Sequence, residues 1–205
     1  MKEYKKIIKR NARVILFFII VLFFLYIVNG IYKNNIHRFD NSIYQIISNF
    51  INPMLTQTLK IITHFGDWMI MIPVSIAILV KNRKYGILVS INLITIFVLN
   101  RIFKLIFNRT RPIENRLIEV AGYSFPSGHS MVSMAFYGLL IYLTCKNVVN
   151  NKLKYAICIC LSVLIFLIGF SRIYLGVHYA SDVVGGFLLS LGYLILFTQI
   201  IKEKK

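Results

Sequence analysis

Little in this sequence would keep a chain in water. Only 15% of its 205 residues are charged. Beyond residue 67 the connections between apolar stretches are short, except for the segment 108–127, so no soluble domain is available to hold a large substrate. Acidic residues are scarce, with 7 Asp and Glu against 24 Lys and Arg. No internal repeat is visible, and no run has the strict alternation of a barrel strand, which excludes a transmembrane β-barrel. Of three cysteines, Cys158 and Cys160 lie two apart and point to different faces of a helix, and Cys145 sits at a membrane edge. All three read as packing residues, not as a disulfide or zinc site. The amino terminus "MKEYKKIIKRNAR", followed by an apolar run, imitates a signal peptide. The small residues of an A-x-A cleavage site are missing and Asn29-Gly30 reads as a helix end, so the run is expected to be a retained first helix.

What the chain has in quantity is hydrocarbon. Its 58% hydrophobic content and mean hydropathy of +0.71 exceed those of ordinary soluble folds. Six apolar runs stand out: Val14–Val28, Trp68–Val80, Tyr85–Leu99, Met131–Cys145, Tyr155–Phe170 and Val183–Ile201. A spanning helix needs about 20 residues, so these runs borrow flanking residues whose polar tips snorkel to the interface. The prediction is an all-α polytopic membrane protein, a six-transmembrane-helix bundle forming a single domain over residues 1–205. Its second run, interrupted by Pro73, is the weakest. The stretch from Asn34 to Asp67 is too polar to span. Ile43, Ile46, Ile47 and Phe50 recur in it at helical spacing, which predicts an amphipathic helical segment in the interface between helices one and two. His37 and His64 there read as interfacial anchors, and Asp67 as the cap of the second helix. In the last run Gly186 and Ser190 form a small-xxx-small pattern that predicts close helix packing.

The formal charge of +17 raises the possibility of nucleic acid or an anionic surface. Sorting the basic residues by side decides between them. With a cytoplasmic amino terminus, 15 of the 24 fall on the cytoplasmic side, spread over four juxtamembrane segments. The positive-inside rule then places both termini in the cytoplasm, and the dispersal excludes a nucleic-acid groove.

Three polar clusters fall on the opposite side. "NRIFKLIFNRTRP" closes the third helix with Lys104 and Arg111; on a continuing helix the two would share a face about 10 Å apart, and Pro112 predicts a turn at Arg111. "GYSFPSGHSM" starts the fourth helix. Ser127 is its N-cap candidate, Gly128 permits close approach to the backbone, and first-turn N–H groups there suit an anion. "SRIYLGVHYASD" joins the last two helices. His178 and Asp182, four apart, let the carboxylate take one imidazole nitrogen and leave the other free. Each cluster alone has an ordinary structural reading, as a basic patch, a helix start and a His-Asp pair. Their convergence from separate parts of the chain does not. Lys104, Arg111 and Arg172 outnumber Asp182, so a divalent metal is repelled and a phosphate is held. His129 and His178 then suit a metal-free phosphoryl transfer, one attacking phosphorus and the other protonating the departing oxygen.

Lys104-x6-Arg111-Pro112, Pro126-Ser127-Gly128-His129 and Ser171-Arg172-x5-His178-x3-Asp182 together resemble the three-part signature of the type 2 phosphatidic acid phosphatase superfamily. These are lipid phosphatases related in fold to vanadium haloperoxidases. No signature position departs from the pattern, and the catalytic core is expected over residues 100–190. The resemblance implies that His178 is the nucleophile forming a phosphohistidine, that Asp182 orients it, and that His129 is the leaving-group acid. Lys104, Arg111, Ser127, Gly128 and Arg172 would hold the phosphate. It implies no metal and no cofactor. The substrate it implies is a lipid phosphate or pyrophosphate in the bilayer, met at the extracytoplasmic face: undecaprenyl pyrophosphate first, then phosphatidylglycerol phosphate and phosphatidic acid. Selectivity is expected from Asn34–Asp67 and Ile113–Phe125. Three alternatives are an intramembrane serine protease using Ser127 and His178, a haloperoxidase, and a non-catalytic lipid transporter or scaffold. The protease leaves Lys104, Arg111 and Arg172 without a role, and a membrane chain lacking large loops does not suit a haloperoxidase.

Overall fold

The computed structural model describes residues 2–113 and 116–203, with side chains described over 11–113 and 116–201. Among these every regular element is an α-helix: α1 (Lys2–Tyr32), α2 (His37–Ser48), α3 (Pro53–His64), α4 (Trp68–Lys81), α5 (Arg83–Phe107), α6 (Gly128–Asn147), α7 (Asn151–Tyr174) and α8 (Ala180–Glu203). Each of the six apolar runs lies inside one helix. Five helices are long and apolar enough to span a bilayer by themselves. α4, at 14 residues, rises only about 21 Å, too little to cross alone. It forms a broken pair with α3, bent by 43°, that passes the same test when the two are taken together. The bend is not at Pro73 but at Phe65–Asp67, where consecutive N–H groups of Phe65, Gly66 and Asp67 bond three residues back and end α3 in tight turns. The polar segment after α1 is thus two helices. α2 lies against α7 and α8, and α3 packs on α7.

α6 is the central element, packed on α5, α7 and α8. It has buried residues on every side, among them Met131, Ser133, Ala135, Phe136 and Leu139, as befits a helix surrounded by protein. Small residues let its neighbours approach. A Cβ on Gly186 of α8 would come within 2.9 Å of the Ser127 carbonyl, and Ser190 Oγ donates to Met131 O at 2.8 Å, so the small-residue pair packs as expected. Asn92 Nδ2 donates to Ala135 O and ties α5 to α6. Two of the cysteines differ from the reading of all three as packing residues. Cys145 and Cys160 are exposed, and Cys145 Sγ lies 3.6 Å from Cys158 Sγ with all three thiols free. Of the basic residues that sort by side, the side chains of Lys2, Lys5, Lys6, Lys9, Arg10, Lys202, Lys204 and Lys205 lie outside the described residues, as do residues 114–115 of the expected selectivity loop.

Candidate active site

The end of α5, the start of α6, the end of α7 and the start of α8 meet at one end of the bundle, and they carry the three polar clusters. α5 stops at Phe107, earlier than Pro112 suggested. Its C-cap, Asn108, takes the left-handed conformation with φ of 48°, which asparagine tolerates better than most residues. The strand of chain that follows is pinned to the approach to α6, where Ser124 N donates to Arg109 O at 2.8 Å and Arg111 Nε donates to Gly122 O at 2.9 Å. Lys104, in the last turn of α5, donates from Nζ to Tyr123 O. Ser127 is the N-cap of α6, its Oγ accepting from Ser130 N and Oγ. The N–H groups of Gly128 and His129 have no acceptor among the described residues. The group that approaches Gly128 is Asn100, whose Oδ1 would stand 3.0 Å from a Cβ there.

α7 ends at Tyr174 and Gly176, with φ of 69°, reverses the chain. Val177 N and His178 N then both donate to Arg172 O at 3.2 Å, which fixes the nucleophile candidate against a phosphate-binding candidate. His178 lies in this turn, ahead of the helix on which its pairing with Asp182 was expected. Asp182 sits in the first turn of α8 and its Oδ2 accepts from Tyr179 N at 3.0 Å, the N3-to-N-cap half of a capping box. The same oxygen faces His178 Nδ1 at 3.3 Å, while His178 Nε2 lies 3.0 Å from Arg111 Nη1. With Nδ1 donating to the carboxylate, Nε2 carries the lone pair and accepts from Arg111. His178 is 3% exposed. Burial, then Arg111, Arg172, Lys104 and His129, push its pKa well below the ordinary imidazole value. Arg172 is 2% exposed; its Nη1 donates to Thr63 Oγ1 at 2.8 Å, and its Nε has no partner among the described residues.

Three residues that contact the candidate site residues escaped the sequence reading in that role. Arg109 Nη1 donates to Asp182 Oδ1 and Ser181 Oγ at 2.7 Å, and its Nη2 to Asp40 Oδ2 at 2.8 Å. Asp40, on α2, also accepts from Ser181 N and Oγ at 2.8 Å. The carboxylate that orients His178 is therefore held from α2 through Arg109, whose guanidinium also covers the Tyr179 ring at 4.1 Å. The signal available was the Arg-x-Arg-Pro spacing, which does not say what the first arginine faces; for Asp40 there was none. The third is Asp67. It occupies the N-cap position of α4, as predicted, but its side chain makes no cap bond. Its carboxylate instead bridges His64 Nδ1 and His129 Nε2, each at 2.8 Å.

Two cavities reach the histidines. One of about 320 Å³, lined by Asp40, Tyr44, Arg111, Ile113 and Tyr179, ends at His178. The other, about 540 Å³ and mostly apolar, lies between α4, α5 and α6 and ends at His129. It has the apolar lining that a lipid chain requires.

Known proteins are similar to this chain in sequence and in fold. The family model of the PAP2 superfamily matches residues 84–205. Phosphatidylglycerophosphatase B of Bacillus subtilis (strain 168) is 33% identical over 182 residues, covering 86% of this chain and 89% of the relative. An undecaprenyl-diphosphatase of Sulfolobus acidocaldarius is 27% identical over 194 residues, covering 91% and 88%. The crystal structure of the first transmembrane PAP2 type phosphatidylglycerolphosphate phosphatase from Bacillus subtilis superposes with a TM-score of 0.84 at 31% identity, over 95% of this chain and 98% of that one. That of Aquifex aeolicus LpxE gives 0.62 at 25%, over 76% and 93%. With its family model matched over more than half its length and its fold shared almost end to end, the chain belongs to the PAP2 superfamily and is a multi-pass membrane lipid phosphatase.

Proposed function

We propose that this phosphatase removes a terminal phosphate from a membrane lipid through a phosphohistidine on His178, without a metal, at the extracytoplasmic face. The observation that carries the reading is the placement of His178: a buried imidazole with Nδ1 facing Asp182 and Nε2 facing Arg111, beside an Arg172 whose buried Nε donor has no partner among the described residues. A buried unpaired guanidinium N–H is costly, and a phosphate oxygen supplies the acceptor it lacks. Lys104, Arg111, Arg172 and the free N–H groups of Gly128 and His129 form the cradle, and Ser127 shapes its helix end. His129 protonates the departing lipid oxygen and then deprotonates the water that cleaves the P–N bond. The orientation is supported by the distribution of basic residues and by counting α3 with α4 as one broken span, which gives six crossings. The serine protease is disfavoured, because Ser127 Oγ bonds Ser130 and His178 Nε2 faces Arg111.

The similarity to the Bacillus subtilis phosphatase moves phosphatidylglycerol phosphate ahead of undecaprenyl pyrophosphate and phosphatidic acid as first candidate. Phosphate release from all three in detergent, with EDTA and with vanadate, tests the reading. Release is expected to survive EDTA, to be inhibited by vanadate, and to vanish in His178→Ala together with an acid-labile phosphoprotein. Loss of activity in EDTA would overturn the metal-free mechanism, and release by His178→Ala would overturn the nucleophile.

A further inference from the structure

The elbow between α3 and α4 meets the site at three points. Thr63 Oγ1 accepts from Arg172 Nη1 at 2.8 Å. Phe65 O accepts from Tyr137 OH of α6 at 2.7 Å. Gly66 and Asp67 close on His129 itself. A Cβ on Gly66 would lie 2.8 Å from His129 Cδ2, so the ring rests against bare backbone, and Asp67 Oδ1 stands 2.8 Å from its Nε2. The ring is therefore held at two adjacent atoms, Cδ2 by bare backbone and Nε2 by a carboxylate, both from an element outside the three signature motifs.

We propose that Asp67 is a positioning residue that fixes the tautomer of His129, leaving Nδ1 as the nitrogen that exchanges a proton at the substrate. This rests on the phosphohistidine reading above. With Nε2–H committed to Asp67, a cationic ring donates from Nδ1. As the P–N bond to His178 Nε2 forms and the P–O bond to the lipid breaks, the Nδ1 proton passes to the lipid oxygen. The neutral ring keeps Nε2–H on Asp67 and now presents a lone pair at Nδ1. It takes a proton from the attacking water as the new P–O bond forms and P–N breaks, returning the ring to its starting state. One nitrogen thus serves as acid and then as base, and the roles cannot drift to Nε2. The groups that face His129 are Asp67, with His64 on its other oxygen, and the cations Arg172 and Arg111. Asp67 supplies the counter-charge that those two withhold.

Asp67→Asn offers an amide N–H to the same nitrogen and so favours the wrong tautomer. Turnover of a lipid phosphate, whose alkoxide leaving group needs an acid, is expected to fall about 10²-fold or more. With p-nitrophenyl phosphate, whose leaving group needs none, the variant should release a stoichiometric burst of nitrophenolate and then stall, because hydrolysis of the phosphohistidine still needs the base. Unchanged turnover of both substrates, or equal loss on both without a burst in a variant that melts like the parent, overturns the assignment. Should Asp67→Asn fail to fold, nitrogen NMR of the histidine-labelled parent decides. His129, identified by the signal missing from His129→Ala, is expected to carry its proton on Nε2 when neutral; a proton on Nδ1 overturns the proposal. A failure of the phosphohistidine reading would instead appear as a parent that never forms the phosphoprotein, and the tautomer measurement is independent of it.

Discussion

His178 is pressed from several directions toward the neutral form. It is buried, and Arg111, Arg172, Lys104 and His129 all oppose a further positive charge. The nucleophile role proposed for His178 requires a lone pair, which this environment favours without a base to remove a proton. The prediction is that its ring stays neutral as pH falls through about 6.5, where an exposed histidine protonates. The unfolded chain takes up that proton and the folded one does not. The contribution of His178 to stability is therefore present above the ordinary value and shrinks as pH falls below it. Nitrogen NMR of labelled protein in detergent checks this; a titration of His178 at or above the ordinary value would contradict it. Arg111 adds a further constraint. Its Nη1 lies 3.0 Å from Nε2, so in the proposed mechanism that contact is exchanged for one to a phosphate oxygen before the P–N bond forms.

At the scale of elements, the nucleophile's carboxylate depends on a helix remote from it in sequence. Arg109 bridges Asp40 of α2 and Asp182 of α8, with side chains 7% exposed for the arginine and 0% for both aspartates. Arg109→Ala leaves two buried carboxylates without their shared cation, a change that costs about 3–5 kcal/mol in comparable pairs. A marked drop in melting temperature in detergent and loss of turnover are expected, and Arg109→Lys, which lacks the fork, should recover only part of either. A variant with the parent's stability and rate would show the bridge to be dispensable. The helices themselves were legible in the sequence, because hydrophobic runs of sufficient length leave few alternatives in a bilayer. So was the Ser127 cap, whose partner Ser130 lies three residues away. The α3–α4 elbow was not, since its carboxylate finds His129 62 positions along the chain and the residues between give no sign of the contact. For the same reason Arg109 looked like one more base in a basic segment.

For the whole molecule, the four helix ends that carry the site share one end of the bundle, and the orientation proposed from the sorting of basic residues has that end outside the cell. Cys145, exposed near the opposite end of α6, reports the orientation. In a variant with Cys158→Ser and Cys160→Ser, a membrane-impermeant maleimide is expected to label Cys145 only after cells are permeabilised. Labelling of intact cells would invert the topology. The convergence of the three signature motifs at one end was readable from alternating spans; the manner of their support was not, because it comes from α2 and the elbow, which lie outside them.

The scarcity of acid in this chain now takes on a different meaning. Its 205 residues include just three aspartates, Asp40, Asp67 and Asp182. Asp182 orients one histidine, Asp67 holds the other, and Asp40 anchors the arginine between α2 and α8. A site built to attract phosphate repels its own imidazolium and crowds its own guanidinium groups, and each aspartate relieves that repulsion at one point. Anionic groups elsewhere would only weaken the pull on an anionic substrate. In a membrane protein with so few carboxylates, the position of each aspartate is therefore as informative as a motif.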